Sequence, residues 1–354
     1  MAQQYQSTWQ KLLSDKQFLH RLKIREAVID AIRHYFKSRH FTEVSTPLLV
    51  RSPGTEPFLE VFETSLKSPG RSDQRGFLIT SPEYALKKLI AGGLGSCFEI
   101  TKSFRNDEGI SSSHNHEFTI LEWYHVEGDY TDVMSDFEAL MLAILRQLSS
   151  QPEDTTLTYR GKSYDVSAPW ERLSVAEAFQ KYAGLSESEL LDEKRLVEIT
   201  RAQGLTDEER VTWEEAFHLL LLNKIEPHLG QKKPTILYDY PASLAALAKR
   251  KNTDPRFAER FEVYLAGLEL GNAFSELLDS SEQRTRFETE LSERKRLGKT
   301  PYELDEDYLA ALESGLPPTG GIAVGVDRLV MLFADAKEIQ DVLTFPIREL
   351  FGVQ

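Results

Sequence analysis

The sequence predicts an α+β fold, a sheet flanked by helices, from three observations. Residues 97–126, CFEITKSFRNDEGISSSHNHEFTILEWYHV, read as a β-hairpin with a long loop. Residues 260–279, RFEVYLAGLELGNAFSELLD, hold two short strands broken at Ala266 and Gly267. Apolar residues recur at helical spacing over 18–38 (Val28, Ile29, Ile32, Tyr35, Phe36) and over 131–149 (Val133, Phe137, Leu140, Met141, Ile144, Leu145, Leu148).

A chain of 354 residues with 41% hydrophobic and 28% charged residues can bury a full core, which excludes a disordered or collagen-like chain. The single cysteine, Cys97, rules out an internal disulfide and points to a reducing cytoplasm. No secretory signal or membrane-length apolar run is visible. The formal charge of −14, without a basic tail or patch, disfavours extensive nucleic-acid contact.

In chain order, residues 1–17 are polar and expected to be loosely held. After the helix over 18–38, FTEVSTPLLV (41–50) reads as a strand with Pro47 at an edge or bend. TSPEYALKKL (80–89) opens a helix, where Glu83 suits the positive end of the helix dipole. In the hairpin, Glu99, Thr101, Ser103 and Arg105 share one face and Phe98, Ile100, Lys102 and Phe104 the other. On the return strand Phe118, Ile120, Glu122 and Tyr124 oppose Thr119, Leu121, Trp123 and His125, so each face mixes apolar and polar groups. Half-buried patterning does not account for that, and the intervening loop is long and polar, as ligand-holding loops tend to be.

From about 150 to 235 no chemistry stands out, and short helices such as 174–183 and 212–223 suggest a mainly helical insertion in one domain spanning 1–354. Strict alternation puts Glu269 and Asn272 on opposite faces, and Gly271 offers the bulge that would reconcile them. Residues 280–298 are a charged, exposed helix. PPTGGIAVGVDRLVMLFAD (317–335) is a glycine-lined strand running into a helix. Arg328 stands near that helix's N-terminus, where the macrodipole disfavours a cation unless it meets an anion such as phosphate.

The run SFRNDEG, a polar loop, then HNHEFTILEWY resembles the second signature motif of class II aminoacyl-tRNA synthetases, most closely the lysyl branch. The helix, strand and proline at 18–50 resemble the first motif, and 317–335 the third. The resemblance implies an antiparallel sheet on which Arg105 holds the α-phosphate and carboxyl end of an aminoacyl adenylate, Phe118 stacks on adenine and the loop covers ATP. A guanidinium fork matches such oxygens and an aromatic face accepts a purine. It further implies that Glu262 and Glu269 bind Mg²⁺ with the ATP phosphates, that Arg328 meets the γ-phosphate, and that Gly321 and Gly325 admit the nucleotide. Asp107 or Glu108 stands for the family's glutamate after Phe-Arg-Asn, and His114 is a nucleotide-binding candidate. His116 replaces the family proline before Glu117, and Ser111–Ser113 stand where bulkier residues are usual. The first motif implies a homodimer.

The amino-acid pocket implied by the lysyl branch comprises Glu83, Glu122, Tyr124, Asn272 and Glu276, carboxylates that suit a diamine. Glu276 can alternatively begin the following helix. Ser81 stands where lysyl synthetases usually have alanine, and Ala323 where they have the middle glycine of Gly-Leu-Gly-Ile-Gly. Only about twenty residues precede the first motif, too few for an OB-fold anticodon-binding domain. These departures resemble the elongation factor P lysine ligases, which activate (R)-β-lysine and attach it to a lysine of elongation factor P. The expected reaction is ATP-dependent adenylation of (R)-β-lysine or lysine followed by transfer to that protein. The alternatives are a truncated synthetase charging RNA and a regulatory paralogue that binds an amino acid without transferring it.

Overall fold

The computed structural model describes residues 6–352 apart from 108, 110, 150, 152 and 209. Residues 8–14, within the stretch expected to be loose, instead form helix α1 (Thr8–Ser14). Buried Thr8 fixes it there, its N–H and hydroxyl donating to Glu349 at 2.9 and 2.6 Å. Helix α2 (Lys16–Lys37) is capped by Asp15, whose carboxylate accepts from the Gln17 and Phe18 N–H groups. The single strand expected over 41–50 is split into β1 (Thr42–Glu43) and β2 (Leu49–Val50), which join different sheets. Pro47 lies between them, where no ladder hydrogen bond is required.

Strands β3 (Glu63–Leu66) and β4 (Gln74–Leu78) complete a small sheet in the order β2-β4-β3. Helix α3 (Glu83–Ala91) then leads to the hairpin, β5 (Cys97–Phe104) and β6 (Glu117–Val126), paired so that Glu99 opposes Glu122. Helix α4 (Tyr130–Leu148) starts at Asp129, which accepts from the Thr131 N–H at 2.7 Å. The segment expected to be mainly helical also carries a hairpin, β7 (Thr156–Tyr159) and β8 (Lys162–Asp165), and a sheet strand, β9 (Glu171–Ser174). Its helices are α5 (Val175–Ala178), α6 (Glu187–Leu191), α7 (Glu193–Ala202) and α8 (Trp213–Leu220). Strands β10 (Thr235–Pro241), β11 (Phe257–Leu265) and β12 (Leu268–Ser275) follow, then α9 (Ser280–Arg296) and α10 (Glu306–Gly315). Strand β13 (Thr319–Gly325) runs into α11 (Val326–Phe333), and α12 (Ile347–Phe351) is the last helix described.

The large sheet has the order β1-β5-β6-β13-β12-β11-β10-β9. From β5 to β10 every pairing is antiparallel, as expected; only the edge strands β1 and β9 pair in parallel. The β9 to β10 connection runs through α5–α8, the long crossover that a parallel pair needs. One face of the sheet packs against α2, α4 and α11, where Phe36, Phe98, Trp123, Phe137 and Val324 are fully buried in one apolar cluster. A second cluster lies under α5–α8, and a third joins α3, α9 and α10 to Cys97 and Tyr124. Both faces of the hairpin are therefore covered, which accounts for its mixed pattern. Among the described residues no helix is long and apolar enough to cross a membrane.

Candidate active site

Cross-strand partners point to the same face of a sheet, so register determines which side chains meet. One row runs Glu122, Ala323, Asn272, Glu262 across β6, β13, β12 and β11. The row beside it runs Tyr124, Gly321, Phe274, Arg260. All of these line a cleft of about 750 Å³ on the face of the sheet turned away from α2 and α4. The bulge anticipated at Gly271 is present: Val263 opposes Gly271 while Tyr264 opposes Glu269, leaving Leu270 unpaired. Glu269 and Asn272 thereby both reach the cleft. Phe118 lies six residues from Tyr124 on the same face of β6, roughly 20 Å along the strand.

At the Phe118 end, Arg105 lies with its guanidinium carbon 5.1 Å from the Phe118 ring centroid, and its buried Nε makes no hydrogen bond among the described residues. Arg328 enters from the first turn of α11. Its Nη1 donates to the Glu269 carbonyl at 2.7 Å, its Nε faces the Ser113 carbonyl at 3.4 Å, and its Nη2 meets His114 Nε2 at 2.9 Å. The loop between β5 and β6 is thus fastened on Arg328. Asp327 anchors this turn of α11, binding Arg25 at 2.6 Å and the Thr119 N–H at 2.7 Å. Asp107 turns away, exposed and paired with Lys299 at 3.3 Å. Glu108 lies outside the described residues. Gly325 lines the cleft but has ordinary room for a Cβ, the nearest atom being 3.6 Å away on Arg328.

Glu262 is held by three donors: Tyr240 and Tyr264 hydroxyls on Oε2 at 2.7 and 2.5 Å, and Arg260 Nη2 on Oε1 at 2.7 Å. Arg260 also donates to Asn272 Oδ1 at 3.2 Å and to the Leu244 carbonyl at 2.6 Å. Glu269 is less engaged, its Oε2 lying 3.7 Å from Arg328. Burial and then the Glu262 charge push its carboxyl upward, against the pull of Arg328 and Arg105. Two carboxylates with an upward-shifted member fit a hard divalent cation. Among the described residues no group of three or more His, Cys, Asp or Glu is arranged to hold a metal, so such an ion would take its other oxygens from elsewhere.

At the Tyr124 end, the Ser81 hydroxyl donates to Glu122 at 2.6 Å and accepts from the Glu83 N–H at 3.0 Å, which starts α3 and ties it to β6. Tyr124 donates to the other Glu122 oxygen at 3.2 Å. Burial and then the Glu83 charge push Glu122 well above the usual carboxylate range, with the two hydroxyls opposing. Glu276 precedes rather than begins α9, which Asp279 caps. It is 2% exposed and lies just behind Gly321 and Tyr124. A Cβ on Gly321 would stand 2.4 Å from Glu276 Oε1 and 2.5 Å from the Tyr124 ring, so only glycine permits this packing. Lys87 pairs with Glu276 and with Glu83.

Sequence reading passed over Arg260, Tyr240, Tyr264 and Lys87. Three were within reach of simple spacing rules, since Arg260 and Tyr264 share a strand face with Glu262 and Lys87 follows Glu83 by one helical turn. Tyr240, on a neighbouring strand, carries no such signal.

Residues 1–349 match the family model described as tRNA synthetases class II (D, K and N). The chain is 36% identical over 350 residues to a lysine–tRNA ligase of Magnetococcus marinus, covering 97% of this chain and 66% of the relative. It is 37% identical over 355 residues to one of Pediococcus pentosaceus (98% and 68%), and 38% over 325 residues to one of a Thermoanaerobacter species (91% and 62%). The chain therefore spans about two thirds of the length of the curated relatives it matches.

Proposed function

Because the chain belongs to the class II tRNA synthetases (D, K and N), we propose that it activates lysine or (R)-β-lysine with ATP and transfers the acyl group to a lysine amine of elongation factor P. The observation that carries the first step is the layout of the cleft. Arg105, Arg328 and Phe118 lie toward one end of β6, the Glu83, Glu122 and Tyr124 cluster toward the other, and the separation suits an aminoacyl adenylate. In this reading the substrate carboxylate attacks the α-phosphorus, the bond to the bridging oxygen breaks and pyrophosphate leaves. Arg105 and Arg328 supply donors to the charge that develops on the phosphates, and no side-chain nucleophile or base is needed. Mg²⁺ would be held by Glu262 and Glu269 and would neutralise phosphate charge. Ammonium groups of the substrate meet Glu83 and Glu122, with Ala323 and Asn272 between Glu122 and Glu262 in the same row.

For the second step, support comes from the pocket. Ala323 stands directly between Glu122 and Asn272, where its methyl shortens the space for an amino acid, and Ser81 adds a hydroxyl to Glu122. Both changes favour a displaced amino group, as in β-lysine. A neutral ε-amine of the acceptor attacks the adenylate carbonyl and AMP leaves. The competing acceptor is tRNA, favoured by the names of the relatives. Pyrophosphate exchange with each lysine isomer tests the first step. Intact-mass measurement of elongation factor P, beside acid-precipitable labelling of total tRNA, tests the second. Unchanged elongation factor P with efficient lysylation of tRNA would reverse the acceptor assignment. A homodimer through α2 and the 41–50 segment belongs to the same proposal.

A further inference from the structure

Helix α3 sends a lysine into the interior. Lys87 lies one turn beyond Glu83, its side chain is 1% exposed, and its Nζ is 2.5 Å from Glu83 Oε1 and in contact with Glu276. The remaining surroundings are the Phe274 ring at 5.1 Å on β12, the Tyr124 ring at 6.0 Å on β6, and Tyr308 on α10. A buried ammonium is tolerated only when it is paired.

We propose that Lys87 is a specificity-determining residue of the amino-acid pocket: a resident cation that cancels one of three carboxylates and leaves the pocket matched to a substrate with two ammonium groups. The inference rests on the amino-acid-activating reading above. Glu83, Glu122 and Glu276 bring three negative charges, and Lys87 returns one positive charge. Two remain for the α- or β-ammonium and the side-chain ammonium, while the substrate carboxylate is left to Arg105. Two further observations bear on that balance. Among the described residues neither Glu276 oxygen has an aligned hydrogen-bond donor despite its contact with Lys87, and Glu122 has only hydroxyl donors. Burial alone would lower the Lys87 ammonium, but Glu276 and Glu83 outweigh it and hold it charged. Burial lifts Glu276 to about 8 and Glu122 well above the usual carboxylate range, so each holds a proton more tightly than an exposed carboxyl does. Diamine binding then displaces protons, and the number displaced records the charge balance.

A purely structural ion pair would affect stability alone, whereas this role sets proton stoichiometry. Calorimetric titration of lysine and β-lysine into wild type, Glu276→Gln and Lys87→Met/Glu276→Gln, in buffers of different ionisation enthalpy, reads that stoichiometry. Glu276→Gln leaves two carboxylates beside Lys87 and should release up to about one proton fewer per ligand than wild type at pH 7. The double variant removes one charge of each sign and should return to the wild-type count. An unchanged count in Glu276→Gln, or a double-variant count equal to that of Glu276→Gln, overturns the proposal. If the double variant does not fold, Glu276→Gln decides: the lower count supports the proposal and a wild-type count overturns it. Absence of pyrophosphate exchange by wild type with every amino acid offered would remove the parent reading, and this one with it. Normal exchange with unaltered proton counts would remove this one alone.

Discussion

Replacing Arg260 by methionine should weaken the fold and the cleft together, by an amount the structure allows to be worked out. The side chains of Arg260 and Glu262 are only 15% and 11% exposed, and they meet at 2.7 Å. Methionine keeps most of the aliphatic bulk but removes the guanidinium. Glu262 then keeps its two tyrosine donors without a cation, and Asn272 and the Leu244 carbonyl each lose a donor. Removing one partner of a buried ion pair costs ~3–5 kcal/mol. With an unfolding entropy of ~2.1 cal/mol/K per residue over this chain, 1 kcal/mol corresponds to roughly 1.3 °C, so Tm should fall by ~4–7 °C. Tyr264→Phe, which leaves Tyr240 and Arg260 in place, should cost only about 1–2 kcal/mol and lower Tm by ~1–3 °C. Differential scanning calorimetry of the two variants at one scan rate and pH checks the ranking. A melting temperature for Arg260→Met within a degree of wild type, or a larger loss in Tyr264→Phe, would refute the view that Arg260 is the main support of Glu262.

Arg105→Ala and Arg328→Ala should each reduce pyrophosphate exchange about a hundredfold, ~3 kcal/mol at the transition state, with little loss of fold; near-normal exchange in both would contradict the phosphate assignment. Ala323→Gly should raise use of α-lysine relative to β-lysine by roughly tenfold or more, since one methyl group is worth ~1–3 kcal/mol of discrimination; an unchanged ratio of adenylation efficiencies would move selectivity to Ser81. Lysine KM should fall as pH rises from 6 to 8 and level off above about 8, because the buried Glu276 carboxyl, raised to about 8, must lose its proton before it can face a further ammonium group. A KM independent of pH across that range would show that Glu276 does not titrate with substrate binding.

The outline of the sheet was legible because strand periodicity acts locally. The break at Ala266 and Gly267, the bulge by Gly271 and the amphipathic helix over 131–149 each follow from a few neighbouring residues. Legibility fails where two distant segments decide the outcome. Pro47 signalled an interruption, but nothing near it could tell that Thr42 would pair with Cys97 while Leu49 paired with Leu78. Thr8 reads as part of a polar leader until Glu349, far along the chain, supplies its partner. The same distinction holds in the cleft. Glu122, Asn272 and Ala323 were identified by motif, and the register sets them side by side. The enclosure of Glu262 needs Tyr240 from a neighbouring strand, which no spacing within 260–279 contains.

The carboxylates of the cleft divide by what already holds them, and that division is a physical argument about where ligands go. Glu262 has Arg260 at 2.7 Å, and Glu276 has Lys87. Each of these acids is buried beside its own resident cation, which fixes its orientation and offsets part of its charge. Glu122 and Glu269 differ. Glu122 receives only hydroxyl hydrogens, and Glu269 has its nearest guanidinium at 3.7 Å, too far for a hydrogen bond. Both are pushed upward, first by burial and then by a neighbouring carboxylate, Glu83 for Glu122 and Glu262 for Glu269. A buried acid in that condition gains most from a new cation, since the cation relieves a desolvation cost already borne by the folded chain. Glu122 lies in the row with Ala323 and Asn272, where an ammonium group would enter; Glu269 lies beside Arg328, where phosphates would bring a metal ion. Arg260 and Lys87 hold the walls in place, and Glu122 and Glu269 direct cations to separate parts of the cleft.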